Sequence, residues 1–217
     1  MLSVNQTLGL GSSAGLTFGQ GVKTGVLTLT ASSPLPVAPT GTANATVNDL
    51  ALGLNAQPVI GAPQSLLSIG ATTLTSTSSV EGFGTPSATG AATITGLTVS
   101  GSALGGLTID GSLFANAAAN TQLLNLLGLR IVLNEQMPSG NGLTSAGIAT
   151  NAIHIGFTNF LLGLNLLNGD IIVAHSDASI TGVSAAAVPE PATWVQLIAG
   201  FAGVGMLARR RARRFAA

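Results

Sequence analysis

Val26-Leu27-Thr28-Leu29-Thr30, Asp49-Leu50-Ala51-Leu52-Gly53-Leu54 and Thr93-Ile94-Thr95-Gly96-Leu97-Thr98-Val99 are the stretches on which the fold of this chain turns. Each alternates apolar with small or hydroxylated residues. Successive side chains of a strand point to opposite faces, so a period of two with threonine on one phase marks strands with one buried face and one wet face. Threonine suits the wet phase because its branched side chain fits the pleat and its hydroxyl meets water without a charge. Glycine, proline or serine separates the runs, and a spacing of about ten to fifteen residues predicts an all-β, β-sandwich-like body rather than alternating helix and strand. The weakly similar segments ATITGLTVSG (92–101), GLTIDGS (106–112) and ASITGVSA (178–185) leave a β-solenoid as the alternative, although they keep no constant period. Residues 115–127 and 157–167 read as short helices or as loops, because asparagine and glycine interrupt both.

Working outward, composition narrows the class. Of 217 residues 6% are charged and 46% hydrophobic, whereas soluble domains are about 25% charged. Low charge with enough apolar residues for a core argues against a disordered chain. The absence of cysteine excludes disulfides, thiolate chemistry and cysteine zinc sites. Seven phenylalanines, one tryptophan and no tyrosine are too few for a base-stacking surface, so no nucleic-acid partner is expected. The zero net charge hides an asymmetry. Residues 1–188 hold two basic against six acidic side chains, while Arg209, Arg210, Arg211, Arg213 and Arg214 crowd the last nine positions.

Before those arginines runs ATWVQLIAGFAGVGMLA (192–208), seventeen residues without a charge. They would rise about 25 Å as a helix, at the short end of what crosses a hydrocarbon core of about 30 Å. A buried core helix is the competing reading. Trp194 at one end, the arginines at the other and Gly200, Gly203 and Gly205 between them favour a transmembrane helix with its arginine end in the cytoplasm. Pro189-Glu190-Pro191 precedes it; two prolines around a glutamate hold an extended backbone that a protease can take up, unless Pro191 only starts the helix. In that order, PEPATWVQLIAGFAGVGMLARRRARR closely resembles the PEP-CTERM sorting signal of Gram-negative bacteria, departing from the usual pattern at Val195-Gln196-Leu197.

The resemblance implies processing by exosortase, an integral-membrane cysteine protease. It puts recognition on Pro189, Glu190, Pro191 and Trp194, and retention on Arg209, Arg210, Arg211, Arg213 and Arg214. The expected organisation is a β-rich extracellular body (1–183), a linker with the motif (184–191), a transmembrane helix (192–208) and a basic cytoplasmic tail (209–217). The expected localisation is export through a transient cytoplasmic-membrane anchor with the C-terminus inside, then the cell surface or extracellular matrix. Export needs a leader that is basic, then apolar, then small. MLSVNQTLGLGSSAGLTFGQ has no basic residue before Lys23. The leader is therefore expected upstream of Met1 or outside this chain, with a tail-anchored cytoplasmic protein as the lesser option.

Within GLRIVLNEQMPSGNGLTSAGIATNAIHIGFTNFLLGLNLLNGDIIVAHSDASI (128–180), residues 129–136, 151–155 and 170–175 read as strands, with a glycine turn at 139–142. The series LNEQ, NAIHI, GDIIVAH resembles the family called choice-of-anchor P. Its members share an extracellular β-rich body with differing anchoring tails, and the resemblance carries no known activity.

Two constellations could carry chemistry. Gly11-Ser12-Ser13-Ala14-Gly15 fits the G-x-S-x-G elbow, and Asp170 and His175 complete the chain order of such hydrolases. The sequence after Ser13 is not a helix start, however, and too little chain precedes it to supply a parallel sheet. His154, His175, Glu135, Asp170 and Asp177 lie close enough in sequence to converge if their strands pair, which makes His154, His175 and Asp177 weak candidates for a divalent metal. The plainer reading is that each imidazole bonds a neighbour at a sheet edge. No cofactor is expected. The chain thus reads as a non-enzymatic surface or exopolysaccharide-associated structural or adhesive protein whose partners are exosortase, the membrane, and polysaccharide or further copies of itself. The alternative is a secreted hydrolase or metal-binding protein acting on envelope polysaccharide.

Overall fold

The computed structural model of the protein describes residues 5–13, 16–32, 39–58, 64–82, 84–106, 108–162 and 165–182. The chain divides into two units, Met1–Val183 and Ser184–Ala217; the second lies outside the described residues. Twelve strands follow one another among the described residues. They are β1 (Asn5–Ser13), β2 (Leu16–Lys23), β3 (Leu27–Ser32), β4 (Thr40–Pro58), β5 (Gln64–Glu81), β6 (Ser87–Thr95), β7 (Thr98–Ser100), β8 (Thr108–Asp110), β9 (Thr121–Leu126), β10 (Leu129–Ser139), β11 (Ser145–Leu162) and β12 (Asn165–Thr181). Helical geometry among them is confined to two single 3-10 turns, Ser102–Leu104 and Gly111–Phe114.

All pairings are antiparallel and build two open sheets. In the first, the long strands β4 and β5 are central. β3 and β2 share the free side of β4, while β6 and β7 share the free side of β5. The second sheet runs β12-β11-β10-β9. One hydrophobic core joins them, with Leu52, Leu54, Leu67, Ile69 and Val99 on one side and Ile131, Leu133, Ile153, Ile155 and Phe157 on the other. Each such side chain contributes roughly 2 kcal/mol by leaving water, and Phe160 adds an edge-on ring contact to Phe157 at 5.7 Å.

The alternation that identifies the strands changes phase in the middle of both sheets. In β4 the buried positions are Ala45 and Val47, then Leu50, Leu52 and Leu54; in β5 they are Leu67, Ile69 and Ala71, then Leu74, Ser76 and Ser78. Each strand carries one residue too many at the change, and register aligns these residues as the row Asp49, Thr72 and Gly96. Asp49 and Gly96 take positive φ there. A side chain at Gly96 would lie on top of Thr72, so this position requires glycine on two counts. The second sheet repeats the device at Asn134, Ala152 and Ala174, where Asn134 and Ala174 have positive φ.

On one side of these rows the space between the sheets is apolar, and on the other buried Leu74, Val80, Ile94 and Ile148 share it with small and polar residues. Ser78 Oγ lies 3.0 Å from Thr150 Oγ1, from the Ser176 carbonyl and from Ser176 Oγ, and its single proton is donated to one of these oxygens at a time. Gln136 Nε2 donates to the Gly90 carbonyl at 2.7 Å. Gly90 leaves no room for a Cβ, which would overlap Thr150 Oγ1 and crowd Ile148.

Several expectations are corrected by this architecture. The all-β class holds as two open sheets; the antiparallel pairing rules out a solenoid for the described residues. Residues 121–126 and 157–162 are strands, not short helices. Leu123, Leu124, Phe157 and Phe160 pack against the core, and the adjacent leucines imitate a helical stripe. The transmembrane helix at 192–208 is withdrawn as part of the fold class. No helix among the described residues is long and apolar enough to cross a membrane. The transient membrane anchor, and the localisation built on it, lose their support with it. Residues 192–208 themselves, like Pro189, Glu190, Pro191, Trp194 and Arg209, Arg210, Arg211, Arg213 and Arg214, lie outside the described residues.

Candidate functional site

The polar residues of the second sheet converge on its outer face next to the Asn134-Ala152-Ala174 row. Register sets Glu135, Asn151 and His175 side by side across β10, β11 and β12, with His154 on the neighbouring row of β11. His154 Nδ1 lies 2.9 and 2.8 Å from the two carboxylate oxygens of Glu135, and its Nε2 lies 3.0 Å from Asp170 Oδ1. Both ring nitrogens therefore face carboxylates, and both donate when the ring is an imidazolium. Asn151 Nδ2 donates to Glu135 Oε2 at 2.8 Å, and His175 Nδ1 donates to Asn151 Oδ1 at 2.6 Å. The result is a continuous relay, Asp170 to His154 to Glu135 to Asn151 to His175, that ties three strands together.

Burial works against the charge on His154, but the hydrogen bonds to Glu135 and Asp170 and the attraction of both carboxylates outweigh it, so its pKa stands above the usual histidine value. Burial likewise pushes Glu135 up. The hydrogen bonds from His154 and Asn151 and the charges of His154 and Arg130 prevail, and the carboxyl is held below its ordinary range.

Glu135, His154 and Asp170 thus meet as their spacing allowed, and His175 joins through Asn151, a residue that its type does not single out. Only the register Glu135-Asn151-His175 reveals it. Asp177 stands apart, opposite Ala149 and exposed. Among the described residues no group of three or more histidine, aspartate and glutamate side chains could hold a metal ion. A metal at His154 would have to displace one of its carboxylate partners. The hydrolase reading does not assemble either. Asp170 bonds His154 rather than His175, and Ser13 ends β1 opposite Leu16 of β2 in an antiparallel pair rather than leading from a parallel strand.

The outer face of the first sheet is a second candidate surface, of different chemistry. Rows of residues in register cross β3, β4, β5 and β6: Ser32, Thr42, Ser79, Thr89; then Thr30, Asn44, Thr77, Ala91; then Thr28, Thr46, Thr75, Thr93. None is charged. Some of their polar groups bond sideways, Thr77 Oγ1 to Asn44 Oδ1 at 2.7 Å and Thr73 Oγ1 to Asn48 Oδ1 at 3.1 Å. Hydroxyls accept as well as donate, so bonding capacity toward solvent remains. No known family, no curated protein and no solved structure matches the chain.

Proposed function

We propose that the protein is a structural or adhesive protein that contacts neutral polysaccharide through the hydroxyl and amide rows on the outer face of its first sheet. The observation that supports this reading is the uncharged, in-register Thr/Ser/Asn surface over four neighbouring strands. Such groups exchange hydrogen bonds with sugar hydroxyls without desolvating a charge. In this reading the His154 relay is structural, linking β10, β11 and β12 through Glu135, Asn151 and Asp170. Affinity electrophoresis of the full chain through gels containing neutral polysaccharide tests the reading. The parent should be retarded, and a Thr75→Glu, Thr93→Glu variant should migrate as in a gel without polysaccharide. Equal retardation of both would refute it.

Processing by exosortase at Pro189-Glu190-Pro191 belongs to the proposal through the sequence resemblance alone. The mass of the mature protein tests it, because a mature chain that retains Arg209 to Arg214 would contradict it.

A further inference from the structure

We propose that the opening between the two sheets beside β3 and β12 binds one unbranched hydrocarbon chain, supplied as a free fatty acid. A cavity of about 480 Å³ lies there, bounded by β3 and β4 of the first sheet and β12 of the second, within the range of about 300–1,000 Å³ usual for small-molecule sites. Its position has a cause in the backbone. Val47 and Leu50 flank the extra Asp49 of β4, Val173 and His175 flank the extra Ala174 of β12, and all four line the cavity. The space opens where the phase changes of the two sheets come together at their margins.

The walls select the ligand. They are mostly aliphatic, with the threonines Thr24 and Thr46 among them and no carboxylate, ammonium or guanidinium, and the one titratable residue, His175, donates its Nδ1 proton to Asn151. A ligand rich in buried polar groups would find few partners there, and each group left unpaired costs about 1–3 kcal/mol. Along β4 the lining runs from Ala45 to Leu52, about 23 Å at 3.3 Å per residue. Leu29, 77% exposed, and Ile172, 50% exposed, form an apolar mouth. There the carboxylate of the acid stays in water while the chain leaves it, at about 0.8 kcal/mol per methylene.

Isothermal titration calorimetry of the full chain with dodecanoate, below its micelle-forming concentration, tests the assignment. Saturable binding at one acid per chain is expected, with a thermal midpoint that rises with acid concentration. Val47→Trp, which fills the cavity from an inward position of β4, should weaken binding at least tenfold. Leu29→Asp at the exposed mouth should do the same and serves where the tryptophan variant does not fold. Leu113→Ser, which removes an 89% exposed leucine that does not line the cavity, should leave binding unchanged. Absence of saturable binding by the parent, undiminished binding by the folded variants, or binding to phosphatidylcholine vesicles but not to the free acid would each overturn the proposal.

Discussion

His154 offers the sharpest quantitative test of how the second sheet is held. In a double-mutant cycle, His154→Leu and Glu135→Gln are made singly and together. The side chains of His154 and Glu135 are 18% and 12% exposed. Breaking a fully buried pair costs about 3–5 kcal/mol, and an exposed pair is worth about 0–1, so a coupling of about 2 kcal/mol is expected between these limits. Asp170 is 62% exposed, which leaves its share to solvent screening and well under about 1 kcal/mol. The assay is urea unfolding of the full chain from pH 3 to 9. The raised pKa of His154 contributes stability that is complete below the ordinary value of 6.5 and is lost as pH rises through the folded-state value above it. The lowered pKa of Glu135 contributes stability that is complete above its ordinary 4.5 and is lost as pH falls through the folded-state value below it. The parent should therefore have a plateau between about pH 4.5 and 6.5 with losses on both sides, and the double variant should lack both shoulders. A coupling below about 0.5 kcal/mol, or a double variant that keeps the parental pH profile, would refute the view that this pair pins β10 to β11.

Other outcomes follow from the packing. Gly90→Ala should destabilise the fold by about 1–3 kcal/mol, read as a lower urea midpoint, because its Cβ meets Thr150 and Ile148 at the sheet interface. Ser78→Ala should cost about 1–2 kcal/mol in the same assay by removing the buried hydroxyl that Thr150 and Ser176 share. Asp170→Asn should change stability at pH 6 by less than about 1 kcal/mol while lowering the pKa of His154, which NMR titration of the imidazole measures. Among the described residues β12 pairs only with β11, and it carries neither lysine nor proline, so sedimentation at rising concentration should show self-association of the parent. Ile172→Lys should reduce that association.

The existence of the strands was legible because threonine alternates with aliphatic residues, but their lengths were not. β4 and β5 look like several short runs, since an extra residue in mid-strand interrupts the pattern as a turn would. Thr93 to Val99 reads as one strand and is two, parted at Gly96. A glycine at such a point is a readable signal; Asp49, Asn134 and Ala174 at positive φ are not, because nothing in their type announces that backbone. In the same way the meeting of Glu135, His154 and Asp170 could be anticipated from their placement on neighbouring strands. The part of Asn151 depended on a register that only the paired strands fix.

The aligned extra residues also govern how this chain can change length. Removing Thr72 from β5 would leave Leu67, Ile69 and Ala71, and then Leu74, Ser76 and Ser78, on one inward phase of an unbroken alternation. A deletion elsewhere inside that strand would turn half of those side chains out to water. A lone deletion at the row would still leave β5 one residue short of β4 on one side and of β6 on the other. Gaps in an alignment of related chains should therefore cluster at 49, 72 and 96, or at 134, 152 and 174, and should occur together across a sheet. A straight-stranded ancestor and this kinked descendant would share every core residue and differ by one concerted insertion per sheet.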